Sequence, residues 1–366
     1  MMNAPVVLPA DLETPALVVD REILDDNIAR LQKALNERGV RNRPHAKTHK
    51  SVAIGRLQMD AGAAGLTVGT LGEAEVFAAA GLTDLFIAYP LWFVGSKAER
   101  LRELTEVAQV RVGVDSIEGV QALAAAVSGV GARPSVLIEI DSGGQRTGVV
   151  LPTDVVDIAE AVRDSGLELE GVFTHGGHAY EPGGAVPAGE DETRALETAA
   201  DALAAEGFEV RTISAGTTPT RLLTGEPVNE VRAGTYVFGD RQQASVGAIG
   251  EDDVAIAVAA TVVSVKSGRF VVDAGAKSLT KDRAAHLVGH GQLPAYPNAI
   301  VDRLSDYHGV VVLPDSEPGP GPKVGDVVAI VPNHVCPVVD LFDFFTIVNR
   351  DGSTERWPVD ARGRSR

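Results

Sequence analysis

The chain is nearly without cysteine. Its single thiol, Cys336, in 366 residues excludes an intramolecular disulfide and makes a reducing cytoplasm the expected compartment. Long apolar runs are also missing. No segment reaches the ~20 consecutive apolar residues needed to span a bilayer, and the opening MMNAPVVLPADLETP has no basic stretch leading into a signal-peptide core. The expectation is a soluble protein with no membrane partner. Positive charge is scarce: 33 Lys and Arg against 50 Asp and Glu leave a formal net charge of −17. Nucleic acid and anionic membranes are poor partners for such a chain. Any anion site must be local, built from backbone amides or a few arginines. No short-period repeat is visible.

What is present is a recurring alternation. An apolar, β-branched run followed by a helical pattern of ten or more residues appears about eight times. The candidate strands are Arg43–Lys47, Leu66–Gly69, Leu85–Tyr89, Val110–Val114, Val136–Asp141, Leu169–His175, Val210–Ala215 and Val231–Phe238. Several are continuous apolar runs, as expected where both faces are buried. Between them, Asp20 caps a helix reaching Glu37 with Ile23, Leu24, Ile28, Leu31 and Leu35 on one stripe, and another helix covers Thr153–Asp164. Periodicity alone permits an open doubly wound sheet or a closed barrel. The count of eight, in a chain long enough for a barrel of roughly 200–250 residues plus a smaller domain, favours an α/β TIM (β/α)8 barrel. Beyond about Gly250 the texture changes to short strands (Val254–Val265, Arg269–Val272, Val310–Leu313, Val327–Val331) joined by turns such as SEPGPGPKVGD. The boundary falls between Asp240 and Asp252: a barrel over residues 1–245, with its first residues free to pack on the other domain, and a C-terminal antiparallel β domain over 246–366. The final DARGRSR is expected to fray.

Barrel chemistry sits at the C-terminal ends of strands. The first strand ends in RPHAKTHK, where alternation puts His45 and Lys47 on one face and an extended continuation would add His49. An inward lysine there is desolvated and its pKa lowered, which suits Schiff-base formation; a solvated basic loop is the other reading. The fifth strand gives IEIDSGGQRTG with Arg146, and the sixth THGGHAY with His175, His178 and Tyr180: metal ligands, general bases or packed rings. The seventh runs into SAGTTPT. Gly216 permits close backbone approach, and Thr217, Thr218 and Thr220 offer hydroxyls beside amides at an expected helix start, a phosphate-binding arrangement. PNHVC puts His334 and Cys336 two apart on an expected strand, hence on one face, with imidazole and sulfur donors suited to zinc; an inert buried thiol is the alternative for Cys336.

With RPHAKTHK, THGGHAY, SAGTTPT, VRAGTYVFGD and PNHVC in this order, nearly the whole chain resembles the fold-type III pyridoxal-phosphate enzymes, specifically the D-threonine aldolase and D-serine dehydratase family. That resemblance implies pyridoxal 5'-phosphate as cofactor. Lys47 would bond its aldehyde, Gly216, Thr217 and Thr218 would hold its phosphate with help from Tyr236, and Arg146 or Arg232 would lie at the pyridine nitrogen. His45 and Tyr180 join the cofactor-binding candidates. It further implies a divalent metal on His334 and Cys336, manganese or a similar ion in related aldolases and zinc in related dehydratases. The substrate would be a small β-hydroxy D-amino acid, and the assembly a homodimer with sites at the interface.

The reaction expected from the resemblance is D-threonine aldolase cleavage to glycine and an aldehyde, with His175 or His178 as base for the hydroxyl proton. The alternative is a dehydratase acting on D-serine or D-threo-3-hydroxyaspartate, in which Lys47 removes the Cα proton and hydroxide leaves from the metal, giving a keto acid and ammonia. An amino-acid racemase leaves PNHVC unexplained. A non-catalytic pyridoxal-phosphate protein would not need the second domain.

Overall fold

The structure, a computed structural model, describes residues Val6–Arg366. Its contacts divide the chain into two compact units. The first joins Met1–Ala29, Thr48–Ala53 and Thr235–Arg362; the second joins Arg30–Lys47, Ile54–Gly234 and Gly363–Arg366. Strand β1 (Ala16–Asp20) leads directly into helix α1 (Arg21–Glu37). The Asp20 carboxylate starts that helix by accepting from the Glu22 and Ile23 amides at 3.0 and 3.1 Å, satisfying donors that have no partner within the helix. Leu24, Ile28, Leu31 and Leu35 form its buried stripe.

The second unit is a curled sheet of eight parallel strands. They are β2 (Arg41–Asn42), β3 (Leu66–Val68), β4 (Asp84–Ile87), β5 (Gln109–Val114), β6 (Ser135–Ile140), β7 (Glu168–Thr174), β8 (Thr212–Ala215) and β9 (Glu230–Val231). Their spatial order is β2-β9-β8-β7-β6-β5-β4-β3. Alternating with them are α2 (Val52–Asp60), α3 (Leu71–Ala79), α4 (Ser96–Val107), α5 (Ile117–Ala126), α6 (Pro152–Asp164) and α7 (Ala185–Ala205). Phe86, Leu137 and Phe173 form a buried cluster within this unit, with the Phe86 and Phe173 rings edge to face at 5.1 Å.

Two expected strands fall largely outside the strands formed, and none of Arg43–Lys47 lies in β2. The first stops at Asn42: Pro44 lacks an amide hydrogen, His45 makes a single parallel bridge with Thr67, and Ala46–Thr48 winds into a 3₁₀ turn. Only Val231 of Val231–Phe238 lies in β9. After Ala233-Gly234 the chain forms a buried 3₁₀ turn, Thr235–Val237.

The first unit carries a mainly antiparallel sheet. To β1 it adds β10 (Ile256–Lys266), β11 (Arg269–Val272), β12 (Ile300–Leu304), β13 (Gly309–Val312), β14 (Val327–Ile330), β15 (Phe344–Val348) and β16 (Thr354–Pro358), with short helices α8 (Arg241–Ser245), α9 (Ala276–Leu279) and α10 (Val335–Val339). β1 lies antiparallel to β10 but parallel to β15, so the sheet is not purely antiparallel as expected. The core here is built from Val18, Ala257, Ala259 and Val348.

The terminal residues are held rather than frayed. In the first unit the Ala361 amide donates to Lys50 O at 2.9 Å. In the second, the Thr70 hydroxyl donates to Arg364 O at 2.5 Å and Arg100 Nη2 to Arg366 O at 3.0 Å. No helix among the described residues is long and apolar enough to cross a membrane.

Candidate active site

In the second unit the functional side chains gather where the parallel strands end. Lys47 sits half-buried on the 3₁₀ turn after β2, and its amide donates to His45 Nδ1 at 3.4 Å. The His45 amide is tied to Ala233 O at 3.1 Å, which anchors this turn beside the segment leaving β9. Burial, followed by the charges of Lys47, Arg232 and His175, holds His45 well below the ordinary histidine range. His175, just beyond β7, is lowered in the same way by burial, Lys47, Arg146, Arg232 and His178. Both imidazoles are therefore held uncharged at pH 7.

The 3₁₀ turn Gly177–Tyr180 carries the other two residues of the THGGHAY motif. His178 Nε2 is hydrogen-bonded to Asp191 Oδ2 of α7 at 3.2 Å, while its Nδ1 is buried with no hydrogen-bond partner among the described residues. The Tyr180 ring lies 6.3 Å from that of His175, centroid to centroid.

The two arginines differ sharply. Arg232 is buried, donates from Nη1 to Ser214 Oγ at 2.6 Å and from Nη2 to Thr174 O at 2.5 Å, and stacks over Phe173 and Phe86 at 5.2 and 5.7 Å. Burial lowers its pKa against the pull of Glu230, Glu192 and Glu139. The Arg146 side chain is 53% exposed and pairs with the buried Glu139 at 3.7 Å.

The loop after β8 turns at Gly216, where φ is +85° and a Cβ would meet Val231 Cγ1 at 2.9 Å. Thr217, Thr218 and Thr220 are buried. The expected helix start is absent: residues 218–223 form turns, and Thr217 and Thr220 cap each other, the Thr217 amide donating to Thr220 Oγ1 at 2.8 Å. A cofactor phosphate fits a close-approach glycine followed by buried hydroxyls. Together with a half-buried lysine and a buried arginine, this loop provides groups suited to each end of pyridoxal phosphate.

In the first unit, His334 and Cys336 do not lie on a strand. His334 is the residue preceding α10 and Cys336 lies in its first turn. The valine-rich run reads as β, yet the Asp240 carboxylate accepts from the Val335 amide at 3.0 Å and the Gln243 amide at 2.8 Å, starting two short helices at once. Burial pushes Asp240 up to about 6. A turn of helix still brings His334 and Cys336 into hydrogen-bonding contact. His334 Nδ1 is 2.9 Å from Asp282 Oδ2, and the Cys336 thiol donates to Thr48 Oγ1 at 3.4 Å. Against burial, Cys336, Asp240 and Asp282 raise His334 to about 10. An imidazole and a thiol in contact, with a carboxylate behind the imidazole, form a donor set that fits a transition metal. No cluster of three or more His, Cys, Asp or Glu ligands occurs among the described residues. His49, expected beside Lys47, has a separate role in this unit, its Nδ1 accepting from the Ser51 amide at 3.1 Å, and Lys50 pairs with Asp340 at 2.8 Å. Tyr236 is buried in the 3₁₀ turn after β9.

Comparison with known proteins agrees with this two-part arrangement. Residues 19–242 match the model of the alanine racemase N-terminal domain, and residues 255–348 that of the putative serine dehydratase domain. The chain belongs to the alanine-racemase-like family of D-threonine aldolases and D-serine dehydratases. Within the family, it is 35% identical to a D-threo-3-hydroxyaspartate dehydratase of Delftia sp. over 94% of this chain and 97% of that protein. It is 30% identical to a D-threonine aldolase of Arthrobacter sp. over 98% and 94%. A solved D-threo-3-hydroxyaspartate dehydratase, a cysteine-to-alanine variant in the metal-free form, superposes with a TM-score of 0.86 at 34% identity, covering 95% of this chain and 97% of that one. The chain is an enzyme, a lyase of this pyridoxal-phosphate-dependent family.

Several residues of the family member's site escaped the reading of motifs. Asp191, Asp282 and Glu139 carry no local signature, because only the fold shows the groups they touch: His178, His334 and Arg146. Asp240, at the end of VRAGTYVFGD, was within a recognised motif, but its capping of two helices depends on tertiary contact.

Proposed function

We propose that this chain is a lyase of β-hydroxy D-amino acids dependent on pyridoxal phosphate and a divalent metal, and that it eliminates the β-hydroxyl to give a keto acid and ammonia. The observation carrying this reading is the contact between His334 and Cys336, with Asp282 behind the imidazole. A thiolate-imidazole pair favours a Lewis-acidic metal such as zinc, and the dehydratase relative has a metal-free cysteine variant. When bound, the cofactor supplies an electron sink for the substrate Cα, and the metal polarises the β-hydroxyl as a leaving group.

The protein's own groups have distinct tasks. Lys47 would hold the cofactor through its aldehyde and is placed to take the Cα proton. The loop Gly216–Thr218 would hold the phosphate. Arg232, buried and fixed by Ser214 and Thr174, is the better partner for the pyridine nitrogen; the exposed Arg146, paired with Glu139, stays at the rim of the site. His45 and Tyr180 pack around the cofactor. The bridge of His45 to Thr67 supports closure of the eight strands into a TIM barrel, and a homodimer, as the motif resemblance implies, is to be tested by light scattering.

Aldol cleavage is the second reading. It needs a base for the hydroxyl proton, and His178, oriented by Asp191 with a buried Nδ1 left over, favours it; neutral His175 is the other candidate. Incubation of the holoenzyme with D-threonine and zinc or manganese separates the two. 2-Oxobutyrate with ammonia is expected, whereas glycine with acetaldehyde would establish the aldolase, and neither product would overturn both.

A further inference from the structure

Helix α7 buries Ala188, Leu196, Ala199 and Leu203 along one stripe, and Glu192 occupies the middle of it with no exposed surface. An acid at such a position costs stability unless its oxygens are used. Glu192 Oε1 accepts from the Gly176 amide at 2.9 Å and from the Gly216 amide at 3.3 Å, and the Thr220 hydroxyl also hydrogen-bonds to this carboxyl. Oε2 is buried with no hydrogen-bond partner among the described residues. One side chain therefore joins two loops that are 40 residues apart in sequence.

The local sequence is built around this contact. A Cβ on Gly176 would lie 2.8 Å from Glu192 Cδ and 3.0 Å from its Oε1, although the backbone there, with φ of −74°, would accept any residue. Gly176 is thus a glycine for the space it leaves to the carboxyl. Burial pushes that carboxyl above the ordinary glutamate range, which lessens its repulsion of a phosphate bound nearby.

We propose that Glu192 is a positioning residue of the cofactor site, clasping the loop after β7 that carries His175 and His178 to the phosphate loop after β8. This rests on the pyridoxal-phosphate reading above. The clasp holds Gly216 in the geometry that admits the phosphate, so it acts on the phosphate end of the cofactor and not on the aldehyde end.

The test is titration of the full-length apoprotein with pyridoxal 5'-phosphate and, separately, with pyridoxal, followed by visible absorbance. Glu192→Ala should weaken pyridoxal phosphate about tenfold, equivalent to ~1.4 kcal/mol, and leave pyridoxal binding unchanged. Glu192→Gln, neutral and of the same shape, should stay within about twofold of wild type. Gly176→Ala, which displaces the carboxyl without deleting it, should give the same phosphate-selective loss and add nothing in the Glu192→Ala background; these two variants carry the test should Glu192→Ala not fold. Unchanged or tighter phosphate binding in Glu192→Ala, equal losses for both ligands, or additive losses in the double variant would each overturn the proposal alone. A wild-type chain that binds neither ligand would overturn the functional reading with it.

Discussion

Lys47 works in a neighbourhood whose histidines are kept uncharged. His45 and His175 are both held well below the ordinary histidine range by burial first and by Lys47 next, so protonation of either is opposed by the lysine they serve. On the roles proposed for Lys47, removing the amine should remove both the covalent attachment and the Cα base. Lys47→Ala is expected to abolish the visible band of bound cofactor and to lower kcat by about 10²–10⁴-fold, with the far-UV circular dichroism unchanged. At the proposed metal site the corresponding residue is Asp282. It touches His334 Nδ1 at 2.9 Å, which would leave Nε2 for a metal, and carboxylates in such a role typically account for about 10–100-fold in metal affinity. Asp282→Asn should show a loss of that size in chelator competition, while Asp282→Ala should lose at least as much.

At the scale of elements, the strands that could be read from the sequence are those whose apolar runs are buried on both faces, such as β5, β6 and β7. Their chemistry was legible for the same reason, because residues that follow a buried run lie at the end of a strand. The errors have different causes: Pro44 ends the first strand, whereas over Val335–Val339, rich in valine, a tertiary hydrogen bond decides the conformation, Asp240 starting α10 by accepting from the Val335 amide. Glu192 illustrates a signal present but unread, an acid in the apolar stripe of α7. β7 holds a less visible device. Its register with β6 shifts between Val136 and Leu137, opposite Leu169 and Gly171, and a Cβ on Gly171 would stand 1.9 Å from Thr212 O in β8. Backbone cannot yield there as a side-chain tip can. Gly171→Ala should cost at least about 1–3 kcal/mol in urea unfolding, and it should weaken cofactor binding because the loops carrying His175 and Gly216 leave these two strands.

Over the whole molecule acids outnumber bases by 17, yet the acids at the N-terminal ends of the parallel strands are matched. Arg43, with 1% of its side chain exposed, pairs with Glu230 at 3.0 Å and Asp84 at 2.7 Å. Arg111 joins Asp84 and also reaches Glu170 at 3.6 Å. These pairs lie at the opposite strand ends from Lys47, His175 and Gly216, so they serve stability while the other ends serve chemistry. Burial alone would raise the Glu230 pKa, but Arg43, with Arg41 and the Ser214 hydroxyl, brings it below the ordinary value of 4.5. A carboxyl depressed in the folded state stabilises the protein above its unfolded pKa, and that contribution is lost as pH falls through the folded value. Glu230→Gln leaves Arg43 buried with only Asp84, and a broken buried pair costs about 3–5 kcal/mol. The variant should be less stable than wild type by that amount in urea unfolding at pH 7. Below pH 4.5 the gap should narrow, because wild type then loses the same interaction to protonation; a gap that stays constant on acidification would mean that the Glu230 charge contributes nothing to stability.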